Sequence, residues 1–377
     1  MSYSNVIVRR QTTSSVIALA VSVLIVTAIP TMPYWASNGH IRWVIELSCL
    51  IAIAQMWNLL AGYAGLVSVG QQAFIGVGGY VLFVFANNMG FNPFWTVPLS
   101  AFAAAAVSIP AYILLRRLEG PYFAIGTWVF AEALRLLTAN ISYVNGGSGM
   151  SLRVMAQYTP GQRALGLTMM SSLLLLLTVG GSYVLLRSRF GLALTANRDE
   201  PVAAASQGVN VKRIRLMIWM LAAAGTGMAG ALYYMAQLRI TPDAGFDPYW
   251  SSICIFSVMV GGVGRLEGPI IGALLYFFAT RFFGQFGATY LVALGLLTLV
   301  MALFSPGGIW SLLSRLVNWP WFPVTRVVVN QSQRAGEDQE CRSGADRKRG
   351  FGDANGVNGT KHVDAASIKP GRETYQL

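Results

Sequence analysis

Charge is scarce in this 377-residue sequence: Asp, Glu, Lys and Arg make up 11%, against 54% hydrophobic residues. Soluble domains carry roughly 25% charged residues, so a fully water-exposed globular surface is excluded. Histidine occurs twice, as His40 and His362, and cysteine three times, as Cys49, Cys254 and Cys341. The cysteines are odd in number and far apart, and two sit in apolar runs. They offer no disulfide framework, and with so few histidines no metal ligand set forms. Lysine is limited to Lys212, Lys348, Lys361 and Lys369, none of which follows a glycine. A Gly-x-x-x-x-Gly-Lys-Ser/Thr phosphate loop is therefore missing. Nor is there a paired set of loop carboxylates, or a nucleophile with an identifiable base, to suggest an enzyme.

What the sequence has is apolar runs, at 15–36, 41–61, 66–87, 94–115, 121–139, 164–186, 214–236, 250–264, 268–284 and 288–305. A bilayer core roughly 30 Å thick needs about 20 apolar residues per helical span. The runs predict an all-α polytopic membrane protein with about ten transmembrane helices, of which 250–264 is short. Glycine is abundant, 40 of 377 residues. The glycine-rich stretch 62–79 is expected to be re-entrant or broken, as is tolerated where protein or a water-filled cavity satisfies the backbone. The first run follows Arg9 and Arg10 like a signal peptide, but its length and the span close behind it predict an uncleaved first helix.

Positive charge sets the orientation. With the N-terminus in the cytoplasm, the inner side receives Arg9, Arg10, Arg116, Arg117, Arg187, Arg189, Arg198, Lys212, Arg213, Arg215, Arg265 and Arg315. The outer side receives only Arg42, Arg135, Arg153, Arg163, Arg239 and Arg281. The net charge of +12 is thus a topology signal rather than a sign of a nucleic-acid partner. The expected organisation is a cytoplasmic N-terminal segment at 1–14, a membrane domain at 15–321 and a cytoplasmic tail at 322–377. The tail's composition predicts disorder. Its Arg347-Lys348-Arg349 cluster is either simply solvated or touches anionic lipid.

The longest inner loop, 187–213, contains Asn197-Arg198-Asp199-Glu200-Pro201-Val202-Ala203-Ala204-Ala205-Ser206-Gln207-Gly208. It predicts a short helix over 199–208, capped by Asp199 and ended by Gly208, with Asn210 capping the next span. Such a helix with a face of small side chains either docks in a groove of another protein or merely connects two spans. Arg117-Leu118-Glu119-Gly120-Pro121 recurs as Arg265-Leu266-Glu267-Gly268-Pro269, by convergence on a good helix start or by internal duplication.

Ionisable groups within spans are costly and face protein or water. Glu46 is one. Glu132 and Arg135, three apart on one helix face, either line a polar path or satisfy each other. The glycines of 62–79 allow either close helix packing or an unwound path lined by Ser68, Gln71 and Gln72.

Several segments in order carry a family resemblance. Ala203, Ala204 and Gly208 keep the spacing of the Glu-Ala-Ala-x-x-x-Gly pattern in the cytoplasmic loop of ABC-importer permeases, although Val202 stands at the glutamate position. The stretch from Gly62-Tyr63-Ala64-Gly65 through Ser68-Val69-Gly70-Gln71-Gln72 is similar to the signature of branched-chain amino acid permeases of the LivM type. So are Gly146-Gly147-Ser148-Gly149, Ser188-Arg189-Phe190-Gly191, Val260-Gly261-Gly262-Val263-Gly264 and Phe304-Ser305-Pro306-Gly307-Gly308, together covering about 40–313. The resemblance implies an inner-membrane permease subunit for branched-chain or other hydrophobic amino acids. It implies as partners a second related permease, two ABC ATPase subunits that bind the ATP and Mg, and a periplasmic solute-binding protein. Arg198, Asp199, Glu200, Ala203, Ala204 and Gly208 would couple to the ATPases. Gly62, Tyr63, Gly65, Ser68, Gly70, Gln71 and Gln72, with Glu132 and Arg135, would border the translocation path. Relatives of this type also serve urea, short amides and other small solutes. An ion-coupled carrier would instead have to rely on Glu46 and Glu132.

Overall fold

The structure, a computed structural model, describes residues 6–9, 13–305, 307–316 and 327–330. In chain order the first elements are β1 (Val6–Arg9), α1 (Thr13–Ala28), α2 (Asn38–Asn58), α3 (Gln71–Asn88), α4 (Pro93–Leu115) and α5 (Pro121–Asn140). Then come β2 (Met150–Ser151), α6 (Pro160–Leu175), α7 (Gly181–Arg187), α8 (Arg189–Asp199), α9 (Pro201–Ser206) and α10 (Val211–Gln237). Last are β3 (Arg239–Ile240), α11 (Pro242–Gly245), α12 (Tyr249–Gly261), α13 (Glu267–Phe283), α14 (Ala288–Phe304), α15 (Gly308–Leu316) and β4 (Val327–Asn330).

The chain divides into two compact units, 1–10 with 326–377, and 11–325. In the first, β1 and β4 pair antiparallel, Val6 opposite Asn330 and Arg9 opposite Val327. The rest of the tail expected to be disordered, with Arg347-Lys348-Arg349, lies outside the described residues.

The second unit is a helical bundle. Five helical stretches are long and apolar enough to cross a membrane: Asn38–Tyr63, Pro93–Leu115, Pro160–Arg187, Val211–Gln237 and Glu267–Phe286. Shorter apolar helices span Ala20–Tyr34 and Thr289–Phe304. Two of the long stretches contain a π-turn, at Leu59–Tyr63 after α2 and at Leu176–Gly180 between α6 and α7. Their starts follow local chemistry. The Thr159 hydroxyl accepts from Gln162 N while Gln162 Oε1 accepts from Thr159 N, with Pro160 in the first helical position, so α6 opens on a reciprocal cap. Asn92 Oδ1 accepts from Phe94 N at the start of α4. α12, at 13 residues, is as short as its apolar run predicts.

α10 is the central strut, packed against α2, α3 and α4. Its approach to α3 depends on small residues: a Cβ on Gly78 would lie 2.0 Å from the carbonyl oxygen of Gly227. Where lipid surrounds the bundle, such backbone-to-backbone contact is a principal source of helix association.

The two Arg-Leu-Glu-Gly-Pro copies behave differently. In the first, Leu118 and Glu119 are exposed, Gly120 has φ +54° and α5 begins at Pro121. In the second, α13 already begins at Glu267, with Leu266 and Glu267 buried. The helix starts two positions earlier relative to the repeat, which favours convergence over duplication.

Candidate functional site

The stretch 62–79 is neither a continuous span nor a loop in solvent. α2 passes through the π-turn Leu59–Tyr63, the chain is non-helical over 65–70, and α3 begins at Gln71. Ser68 and Gly70 are buried and Leu66 and Val69 half-buried, whereas Gly65 and Val67 are exposed, so the inner part of the break needs protein partners for its polar backbone. Side chains of other elements supply them. Trp57 Nε1 donates to Ser68 O at 2.7 Å, and Val69 N donates to Thr127 Oγ1 of α5 at 3.0 Å. Ser251 Oγ of α12 donates to Val69 O at 3.0 Å, and Arg198 Nη1 of α8 donates to Gly62 O at 2.5 Å. Within the break, Gly70 N donates to Ser68 Oγ at 3.2 Å and Leu66 N to Leu60 O at 3.0 Å.

The break also touches the turn between α12 and α13. Asn58 Nδ2 donates to Arg265 O and Asn58 Oδ1 accepts from Gly264 N, both at 2.9 Å. A Cβ on Gly62 would come within 2.3 Å of Asn58 Oδ1 and 2.6 Å of Gly264 N, so only glycine fits here. Tyr63 is buried in the π-turn. Gly65, at φ +70°, lies against the aliphatic stem of Arg198. At Gly70 an added Cβ would collide with the Thr127 carbonyl.

Gln71 and Gln72 open α3 and are almost wholly buried. Gln71 Oε1 accepts from Thr226 Oγ1 at 3.4 Å, and Gln72 Oε1 accepts from the Ser251 hydroxyl. Their Nε2 groups have no protein partner. In this conformation they therefore belong to the helix interfaces of α3 with α10 and α12 and do not face an open channel.

Between α7 and α10 the loop holds two helices where one was expected over 199–208. Asp199 is the last residue of α8 and does not cap the helix that follows. Glu200 takes the N-cap position of α9 without a side-chain bond. Pro201 is the physical reason: it disfavours a helical residue before it, and Glu200 is at φ −145°, ψ 88°. Pro201 itself suits the first helical position. The other end follows expectation. Gly208 has φ +85°, Gly208 N donates to Ala205 O and Val209 N to Ala204 O, closing the helix on a left-handed glycine. Asn210 Oδ1 accepts from Arg213 N and caps α10. On α9, Ala204 is buried, whereas Ala203 is exposed and Val202 is 79% exposed.

Arg135 is closed on Glu132. Its Nε donates to both carboxylate oxygens at 3.0 Å and its Nη2 to Oε1 at 2.6 Å. Its Nη1 also reaches Asp243 Oδ1 of α11 at 2.5 Å, joining α5 to the α10–α12 connection. Glu46 pairs with Arg281 Nη2 at 3.4 Å. The sequence reading missed Trp57, Asn58, Thr127 and Ser251, because a side chain bonding a backbone group far along the chain leaves no local spacing to read. Among the described residues no group of His, Cys, Asp and Glu could hold a metal ion.

Long apolar helices around a protein-satisfied break define a polytopic α-helical membrane fold. Residues 41–304 match the family of branched-chain amino acid transport system permease components, and the chain belongs to that family. It is a transporter subunit, not an enzyme. It is 26% identical over 304 residues to the high-affinity branched-chain amino acid transport system permease protein LivM of Escherichia coli, covering 74% of this chain and 71% of that protein. It is also 26% identical to a probable branched-chain amino acid transport permease protein LivH of Methanocaldococcus jannaschii, over 73% of this chain and 94% of that one. BraD, a high-affinity branched-chain amino acid transport system permease protein of Pseudomonas aeruginosa, is 27% identical over 69% of this chain and 90% of its own. No solved structure matches the chain.

Proposed function

We propose that the chain is the LivM-type permease of an inner-membrane ABC importer for branched-chain or other hydrophobic amino acids. It has about ten spans and cytoplasmic termini, and residues 15–321 form the permease domain. It works with a second related permease, two ATPase subunits that hold ATP and Mg, and a periplasmic solute-binding protein. The segment 187–213 carries the motor's movement. α9 offers Val202 and Ala203 to a groove of the ATPase, while Asp199, Glu200, Ala204 and Gly208 set its two ends and its seat.

The observation that carries this reading is the bond from Arg198 to Gly62 O. It joins α8, just before α9, to the π-turn that leads into the break, and Asn58 joins the start of the same turn to the α12–α13 turn. A displacement of α9 therefore has a physical route to a non-helical element inside the bundle. The path is proposed to run beside that break, past Gly62, Tyr63, Gly65, Ser68, Gly70, Gln71 and Gln72. Glu132 and Arg135, satisfied by each other and by Asp243, are proposed as a strut beside the path. Ion coupling is less well supported, because Glu132 is closed on Arg135 at 2.6 Å and Glu46, in looser contact with Arg281 at 3.4 Å, would have to serve alone.

The test is uptake by the complete importer in proteoliposomes. Leucine should enter only with ATP and binding protein present, and Gly208→Trp should abolish uptake while the complex still assembles. Uptake that follows a proton gradient and ignores ATP would overturn the importer reading. Uptake of urea or short amides in place of leucine would overturn the substrate.

A further inference from the structure

A cavity of about 560 Å³ lies at the end of α10 remote from the 187–213 segment. Small-molecule sites typically measure roughly 300–1,000 Å³. α10 has 27 residues, and at about 1.5 Å per residue its ends are about 40 Å apart. The cavity is built from the first half of α2, the end of α10, the α10–α12 connection, the start of α12 and the second half of α13.

Its wall is aromatic and held in place. Tyr234 Oη at 2.5 Å and Trp250 Nε1 at 3.1 Å both donate to Ala244 O, which anchors α11 to α10 and α12. Tyr233 packs edge-on against Trp250 with centroids 4.7 Å apart. The Tyr249 hydroxyl bonds those of Tyr276 and Tyr290, tying α12 to α13 and α14.

Both signs of charge meet this wall. Glu46 and Asp247 bring carboxylates, and Arg239 brings a guanidinium. Asp247 Oδ1 accepts from Tyr249 N at 2.9 Å, at the start of α12. Arg239 pairs with no carboxylate among the described residues. Glu46 is shared with Arg281, which lines the adjoining smaller cavity together with Glu46, Leu50, Tyr276 and Thr280. Asp247 is taken up by a backbone N–H, so Glu46 and Arg239 remain as groups of opposite sign beside apolar rings, which suits a solute that is dipolar at one end and apolar at the other.

We propose that this cavity is a binding site for an α-amino acid zwitterion. Glu46 receives the ammonium group, Arg239 the carboxylate, and the faces of Tyr233 and Trp250 the hydrophobic side chain. The site rests on the importer reading above. It places substrate at the face opposite α9, where a binding protein would deliver it. α10 then links the loaded cavity to the driven segment through one continuous helix.

The test is equilibrium binding of tritiated leucine to the assembled permease–ATPase complex in lipid nanodiscs, without binding protein. Leucinamide, which lacks the carboxylate, and 4-methylpentanoate, which lacks the ammonium, serve as competitors. The wild type should prefer leucine to both. Glu46→Gln and Arg239→Gln should each weaken leucine binding by about tenfold, the order expected for losing one charge-assisted bond. Glu46→Gln should abolish the preference over 4-methylpentanoate, and Arg239→Gln the preference over leucinamide. General loosening of the fold would instead weaken all three ligands in parallel and would count against the site. Arg239 is exposed, so its variant remains informative if loss of the Glu46–Arg281 pair prevents assembly. If the complete importer takes up leucine but the complex binds none, or both variants bind as wild type, the site is wrong and the importer reading stands. If leucine is not imported at all, the substrate reading falls and the site falls with it.

Discussion

Replacing Arg198 with alanine should uncouple ATP hydrolysis from transport. The side chain is the only described link from α8 to the π-turn carbonyl of Gly62, at 2.5 Å, and its Nε also meets Asp199 Oδ1 at 3.1 Å. A hydrogen bond from a charged donor contributes about 1.5–3 kcal/mol. Arg198 is 44% exposed, which places the expected loss at the lower end, about 1.5 kcal/mol. Every 1.4 kcal/mol is roughly a factor of ten in an equilibrium. Leucine moved per ATP hydrolysed should therefore fall about tenfold in proteoliposomes, while ATPase activity continues. Arg198→Lys keeps the charge but loses the planar fork, and should recover only part of the coupling. The measurement is the ratio of uptake to phosphate release in the same vesicles. A wild-type ratio for Arg198→Ala would refute the reasoning, because transmission would then bypass the one bond that joins the two elements.

Three further outcomes follow from other contacts. Val202→Asp places a charge on an exposed apolar side chain of α9, so it should cut ATP-dependent uptake at least tenfold while the thermal unfolding midpoint of the isolated subunit in detergent stays within a degree or two. Gly78→Val drives a side chain into the Gly227 carbonyl and should lower that midpoint by several degrees, consistent with an overpacking cost of about 1–3 kcal/mol. The double variant Glu132→Gln with Arg135→Gln should retain uptake within about twofold if the pair is a strut; a loss of an order of magnitude would place it on the path.

Much of the architecture was legible because its causes are local. Apolar runs fix where helices form. Asn210 marks a start, and Gly208 marks an end. The glycine-rich break was visible because no continuous helix suits that composition. The reading erred at Asp199, where the effect of Pro201 on Glu200 outweighs a good capping residue. The contacts that organise the site were not legible. Asn58 meets Gly264 and Arg265 across more than two hundred residues, and Ser251 meets Val69 across 182. Nothing in the spacing of either residue specifies its partner. Ser68, Gln71 and Gln72 were singled out as polar groups in an apolar stretch, but only the bundle shows Gln71 and Gln72 turned into helix interfaces.

A non-helical segment buried in a membrane bundle has no water to satisfy its backbone, and each polar group left unpaired there costs several kcal/mol. The break at 65–70 avoids that cost by borrowing donors and acceptors from α2, α5 and α12, and α8 binds the turn just before it. This dependence has a mechanical consequence. Trp57, Thr127 and Ser251 are buried or nearly so on helices of the bundle, whereas Arg198, on a helix anchored to the core by Leu194, has a side chain more than a third exposed. If the break shifts, the three core-borne bonds must move with it or be replaced, while the Arg198 bond can be pulled from outside. Of the four partners, Arg198 is thus the one through which the ATPases of the proposed importer would act on the break with the least disturbance of packing.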